Sequence, residues 1–150
     1  MSNPSISGPG DGYFGPKNWD ERMLNSTGGA LTAGSLVQVD ESVIDSTTLA
    51  QTTIEDPSTL GLEQGGKFGV LLEDIANGER GLVRFRGRVK AQTTGTPAVG
   101  AYLSGANAAN TMTATIGATF RVLGTALVTG SSVPTLIEFD GLSKGVNHAS

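Results

Sequence analysis

One hairpin-shaped phrase occurs twice in this chain, and it restricts the fold more than any other feature. Gly69-Val-Leu-Leu-Glu73 leads through a polar turn to Leu82-Val-Arg-Phe-Arg-Gly87, and Gly124-Thr-Ala-Leu-Val128 leads through another to Leu136-Ile-Glu-Phe-Asp-Gly141. In each copy an apolar stretch precedes a strand that alternates apolar with charged residues and closes on glycine. That alternation is the signature of an antiparallel strand buried on one face. The outward charges differ in sign: Arg84 and Arg86 in the first copy, Glu138 and Asp140 in the second. Such a pattern makes a small β module that works through its edges and surfaces.

The remaining sequence also reads as short strands joined by turns. Glycine is 22 of 150 residues, about twice average usage, and Thr, Ser and Asn crowd between the apolar runs. No long helical period occurs. Ala30–Val39 reads as strand, glycine turn and strand, and Ser42–Leu49 offers a further strand inside the acidic, Thr-rich stretch 40–66. Ala98–Leu103 and Met112–Val122 are two more candidates, separated by the turn Ser104–Asn110. The expected fold is all-β: a small antiparallel β-sandwich or barrel of about seven to eight short strands. Two copies of one phrase are too few for a solenoid, which needs about three adjacent repeats.

Residues 1–27 are expected to be an extended Gly/Pro-rich arm, 28–142 the β domain and 143–150 a polar tail. Gly, Pro, Ser and Asn fill 16 of the first 29 positions, and Pro4, Pro9 and Pro16 interrupt any ladder or helix. Yet Tyr13, Phe14 and Trp19 fall in one short window, three of only eight aromatic residues in the chain. Linkers are normally poor in aromatics, so these rings are expected to dock, on their own domain or on a neighbour.

Length and inventory exclude several classes. A chain of 150 residues fits one domain and buries enough surface, roughly 70% of its unfolded area, to need no disulfide or metal. Cysteine is absent, which removes thiolate chemistry and suits an intracellular folding environment. The first residues carry neither a basic region nor an apolar run, so no signal peptide is expected, and no stretch approaches the roughly 20 apolar residues of a spanning helix. A soluble protein is expected, without a membrane partner. The net charge of −4 hides asymmetry: residues 1–81 hold 12 acids and 4 bases, whereas 82–150 hold 2 acids and 6 bases. Overall acidity argues against general nucleic-acid binding, and the polarity suits contact with a polarised partner.

The chemical motifs are weak. Gly10-Asp-Gly-Tyr-Phe-Gly15 spells a dinucleotide fingerprint but lacks the preceding strand and following helix that would hold a pyrophosphate. The lone histidine, His148, lies in the tail, so no triad or histidine metal site can be assembled. Asp40-Glu41, Glu55-Asp56 and Glu73-Asp74 are carboxylate neighbours, which on a strand point to opposite faces and read as turn charges. Asn25-Ser26-Thr27 spells a glycosylation acceptor and is read as a turn. Neither catalysis nor a cofactor is expected, and no catalytic, cofactor-binding or metal residue is assigned.

Arg84, Arg86 and Arg88 stand on one face of one strand, continued by Lys90, while Phe85 has the opposite parity and should face the core with Val83 and Val89. An oligonucleotide reader would interleave exposed aromatics with the bases. An exposed ion pair contributes about 0 to 1 kcal/mol, so four bases in register are better used at a partly desolvated contact. Arg84, Arg86 and Arg88 are therefore expected at a subunit interface, a contact in which the row meets acids such as Glu138 and Asp140 of the same chain or the next.

With these phrases laid out, the chain resembles the small capsid decoration, or cement, proteins of tailed bacteriophages. The carriers are Ala30–Val39, Gly69–Gly87, and Val122–Val128 with Leu136–Gly141. The resemblance implies a β-rich head on the outer capsid surface of a virion, commonly a homotrimer, contacting the major capsid protein and made in the host cytoplasm. It implies no catalysis and no cofactor. The arm has no counterpart in the family, so the capsid-contact role expected for Tyr13, Phe14 and Trp19 rests on their chemistry alone. A head-fibre or tail subunit would share the strand pattern. A host-surface glycan-binding module would show an exposed Trp or Tyr beside a carboxylate, and Trp19, in the arm, is a poor candidate for a preformed groove.

Overall fold

The computed structural model describes residues 18–106, 109–116, 119–129 and 134–142. Among these the chain forms β1 (Trp19–Asn25), β2 (Leu36–Val39), β3 (Thr53–Glu55), α1 (Thr59–Glu63), β4 (Phe68–Leu71), β5 (Arg80–Ala91), β6 (Tyr102–Gly105), β7 (Met112–Thr113), β8 (Gly124–Ala126) and β9 (Thr135–Asp140). The fold is all-β apart from one short helix. Among the described residues no helix is long and apolar enough to cross a membrane.

Both repeated hairpins are present: β4 pairs antiparallel with β5, and β8 with β9. The two copies also pair with each other, since β5 lies antiparallel to β9 from Arg86 opposite Asp140 to Ala91 opposite Thr135. The 12-residue β5 is the spine of the molecule. Its first half belongs to a five-stranded barrel in the order β1-β3-β2-β4-β5, closed because β1 pairs back onto β5. Its second half begins a sheet that continues through β9, β8, β6 and β7. A parallel bridge from Met112 to Thr93 brings β7 back to the chain just beyond β5.

Two cores follow from this layout. Val83 and Phe85 of β5 fill the barrel with Met23, Val37, Val39, Ile54, Leu71 and Ile75. Val89 and Ala91, on the same face of the same strand, pack instead with Leu36, Phe68, Val70, Leu103, Ile137 and Phe139. The strand turns from one core to the other at Gly87, whose φ of +123° is open only to a residue without Cβ. β2 and β4 lie between the cores and are buried on both faces. Leu36, Phe68 and Val70 face the second core, and Val37, Val39 and Leu71 face the barrel. Burial on both sides is why these strands read as apolar runs rather than alternations. Each fully buried Leu or Phe contributes about 1.5–3 kcal/mol.

Gly141 ties the halves together. Its N–H donates to the Phe85 carbonyl (2.9 Å) and its own carbonyl accepts from the Phe68 N–H (3.0 Å), so the end of β9 is stitched to two barrel strands.

Three expectations are corrected. Residues 19–25, assigned to the arm, are β1, a strand of the barrel; its first four residues are exposed and conceal the period. Ser42–Leu49 is not a strand but a series of turns. The Asp40 carboxylate accepts from the Ser42 N–H, that of Asp45 accepts from Thr47 and Thr48, and Leu49 has a φ of +60°. The strand of this region is β3, further on. Among the described residues of Met112–Val122 only the two of β7 are strand. Tyr13, Phe14, His148 and the tail 143–150 lie outside the described residues.

Candidate interaction surface

The outer face of β1, β5 and β9 carries a ladder of ion pairs. Arg84 grips Asp20 with two hydrogen bonds, Nε to Oδ1 at 2.8 Å and Nη2 to Oδ2 at 3.0 Å, and its Nη1 donates to the Arg88 carbonyl at 2.7 Å. Arg86 Nε lies 3.3 Å from Asp140 Oδ1, and Arg88 Nε lies 3.2 Å from Glu138 Oε1. All three are in-register cross-strand pairs. Exposure of the arginine side chains rises along the row, from 19% at Arg84 to 38% and then 54%. Hydrogen bonding to Asp20 raises the pKa of Arg84 above its ordinary value, against the opposing effect of burial. Pairs this exposed contribute little energy, and a slip in register would set arginines opposite apolar residues. The ladder therefore fixes register across three strands.

These pairs form within one chain. Arg84, Arg86, Arg88, Glu138 and Asp140 were expected at a subunit interface; the pairs seen here are cross-strand pairs inside one chain, because β5 and β9 are hydrogen-bonded neighbours. Asp20 was missed as a partner, since it sits in the stretch assigned to the arm. Lys90 continues the row on the exposed face, opposite Leu136.

The carboxylate neighbours are mostly turn charges, and Glu55 ends β3. Glu73 Oε2 accepts from the Leu82 N–H (2.7 Å) and Asp74 Oδ1 from the Ala33 N–H (2.9 Å). Glu55 accepts from Gln38 Nε2 (3.3 Å), and its pKa is raised by burial first and then by the nearby charge of Asp40. Gln38 Oε1 in turn accepts from the N–H and hydroxyl of Ser58, the N-cap of α1. Asn25 is fully buried: Nδ2 donates to the Gly29 and Ile75 carbonyls, and Oδ1 accepts from the N–H and hydroxyl of Thr27. Within the Asn25-Ser26-Thr27 tripeptide the Asn25 side chain is thus buried at the end of β1, holding the turn that follows. Among the described residues no group of three or more His, Asp or Glu is arranged to hold a metal ion.

One functional-looking cation is structural and was not singled out from sequence. Arg121 is 3% exposed; its Nη2 donates to the carbonyls of Gly61 and Gly66, and its guanidinium lies 5.5 Å from the centre of the Phe68 ring. It fastens α1 and the following loop over the second core. Burial lowers its pKa, with Asp140 opposing that shift.

Trp19 opens β1 with 49% of its surface exposed, and Tyr102, Val99 and Val128 are exposed around β6 and β8. The molecule is thus a β barrel that shares its longest strand with a second sheet and carries an ion-pair ladder and exposed aromatic residues on its surface. No family model matches the sequence, and no curated protein matches it. Among solved structures the fold is similar to the N base of head fiber gp8.5 in bacteriophage phi29. The superposition has a TM-score of 0.53 and covers 87% of this chain and 100% of that one, at 13% sequence identity. At that identity the likeness is one of fold.

Proposed function

We propose that this protein is a structural component of a bacteriophage head, seated on the outside of the capsid as a decoration module or as the base of a head fibre. The observation that carries this reading is the likeness of fold to a head fiber base over that base's whole length. The resemblance of the strand phrases to capsid decoration proteins supports the same placement. The partner is the major capsid protein, and the role is mechanical, with neither cofactor nor reaction. A capsid offers a dense lattice of identical sites, so a homotrimer with three modest contacts gains affinity by effective concentration, by about 10²- to 10⁴-fold. Tyr13 and Phe14 precede the barrel and are the capsid-contact residues in this reading.

Co-sedimentation with purified heads that lack the protein is the direct test. Saturable pelleting at a fixed ratio to capsid subunits supports the proposal, and protein that stays in the supernatant at micromolar concentration rejects it. Because β1 begins at Trp19, the truncation that spares the fold removes residues 1–17 and no more. That variant should stay folded and lose capsid binding; retained binding would remove Tyr13 and Phe14 from the contact.

A further inference from the structure

β1 and β3 pair only at Leu24 and Asn25, opposite Thr53 and Ile54, and then diverge. Between the free half of β1 and residues 50–52 the mouth of the barrel opens as a recess of about 300 Å³. Met23, Val39, Phe85 and Leu142 make its apolar lining, and Trp19 stands beside them. Glu21, Arg22, Gln51, Thr52 and Lys67 bring polar groups to it.

We propose that this recess is a saccharide-binding site in which the Trp19 indole stacks on a sugar ring. Trp19 is half exposed although three apolar residues of the barrel core border the same recess, so the ring does not serve as core. It is also held in place: its Nε1 donates to Glu21 Oε2 at 2.8 Å, which fixes the plane of the indole and sets a carboxylate beside it. Across the recess Lys67 Nζ donates to Gln51 Oε1 at 2.9 Å, and Gln51 Nε2 reaches the Glu41 carbonyl at 3.4 Å. The polar rim is thus ordered before any ligand arrives, which lowers the entropy lost on binding.

The chemistry selects the ligand. A pyranose has an apolar C–H face that suits an aromatic ring, and an edge of hydroxyls that each donate and accept. The rim supplies both partners, the Glu21 carboxylate as acceptor and the Lys67 and Arg22 cations as donors. An apolar side chain from a protein would gain from the lining but would desolvate those charges without replacing their hydrogen bonds. The volume is at the low end of the roughly 300–1,000 Å³ typical of ligand sites, the size for a terminal sugar. Capsid attachment and sugar binding are separate properties, and the free protein suffices to test the second.

Trp19 is the only tryptophan in the chain, so intrinsic fluorescence reads this site and no other. The full chain is screened on a glycan array and titrated with chito-, malto- and galacto-oligosaccharides to millimolar concentration. A saturable shift in emission with at least one class is expected. By calorimetry Trp19→Ala should weaken that binding more than about tenfold, and Trp19→Tyr, which keeps a stacking face, should restore most of it. Lys67→Ala, on the rim of the recess but outside β1, should weaken it severalfold with an unchanged circular dichroism spectrum. The proposal is overturned if no saccharide on the array or in titration binds, if Trp19→Ala and Lys67→Ala both leave binding intact, or if emission responds only to an aromatic peptide.

Discussion

Substituting Gly141 by alanine probes the seam between the two cores. A Cβ at this position would overlap the Phe68 carbonyl oxygen, stand 2.6 Å from the carbonyl carbon and approach the Phe139 ring to 2.9 Å. The obstacle is backbone, so no rotamer change relieves it; β4 and β9 must part by about 1 Å, a distance over which packed cores resist. Parting them stretches the two hydrogen bonds of Gly141, to Phe85 and from Phe68, each contributing about 0.5–1.5 kcal/mol net. It also loosens Phe68 and Phe139, both essentially fully buried. Together the loss should be about 2–4 kcal/mol, which for a chain of this size lowers Tm by roughly 6–15 °C. Urea unfolding followed by circular dichroism measures it. A variant within about 0.5 kcal/mol of wild type would refute the seam, because the two halves would then have no fixed contact at this residue.

Other substitutions test other parts. Removing the Asn25 side chain as Asn25→Ala abolishes four hydrogen bonds at a fully buried site and should cost about 2–3 kcal/mol in urea unfolding, whereas a surface turn would lose under about 0.5. A double-mutant cycle on Arg84 and Asp20 should give a coupling of about 0.5–1 kcal/mol, larger than that of Arg88 and Glu138, and both should shrink in 1 M salt; equal couplings would deny the gradient of burial. Folding raises the pKa of Glu55 above its ordinary 4.5, so the native state holds this proton more tightly than the unfolded chain does. Rising pH strips that proton at a cost to the native state, so Glu55 weakens the fold at neutral pH and not below its unfolded pKa. Glu55→Gln should therefore melt above wild type at pH 7 and level with it near pH 3; the reverse order would show that Glu55 is stabilised as a carboxylate.

The hairpins were legible because their charged strands alternate strictly, and that alternation also placed Val83, Phe85 and Val89 inside and Arg84, Arg86 and Arg88 outside. What local pattern could not reveal was that the two copies pair with each other. That contact joins residues about 50 positions apart, and only the opposite signs of their charges hinted at it. β1 was hidden because Trp19-Asp-Glu-Arg22 is exposed on both faces: one side packs on no second sheet and the other borders the open barrel mouth. With β1 misassigned, Asp20 was lost as the partner of Arg84, and Trp19 was set in an arm instead of beside a recess. β3 and α1 are too short to show a period. Their positions follow from long-range contacts, such as the bonds from Ser58 to Gln38, that no window of sequence contains.

A cryo-electron microscopy difference map between phage heads with and without this protein tests the proposed role most directly. The account predicts added density outside the shell, repeating on the capsid lattice, into which the five-stranded barrel and its attached sheet fit with the segment preceding Trp19 toward the capsid. Identical heads, or density confined to the tail, would contradict it.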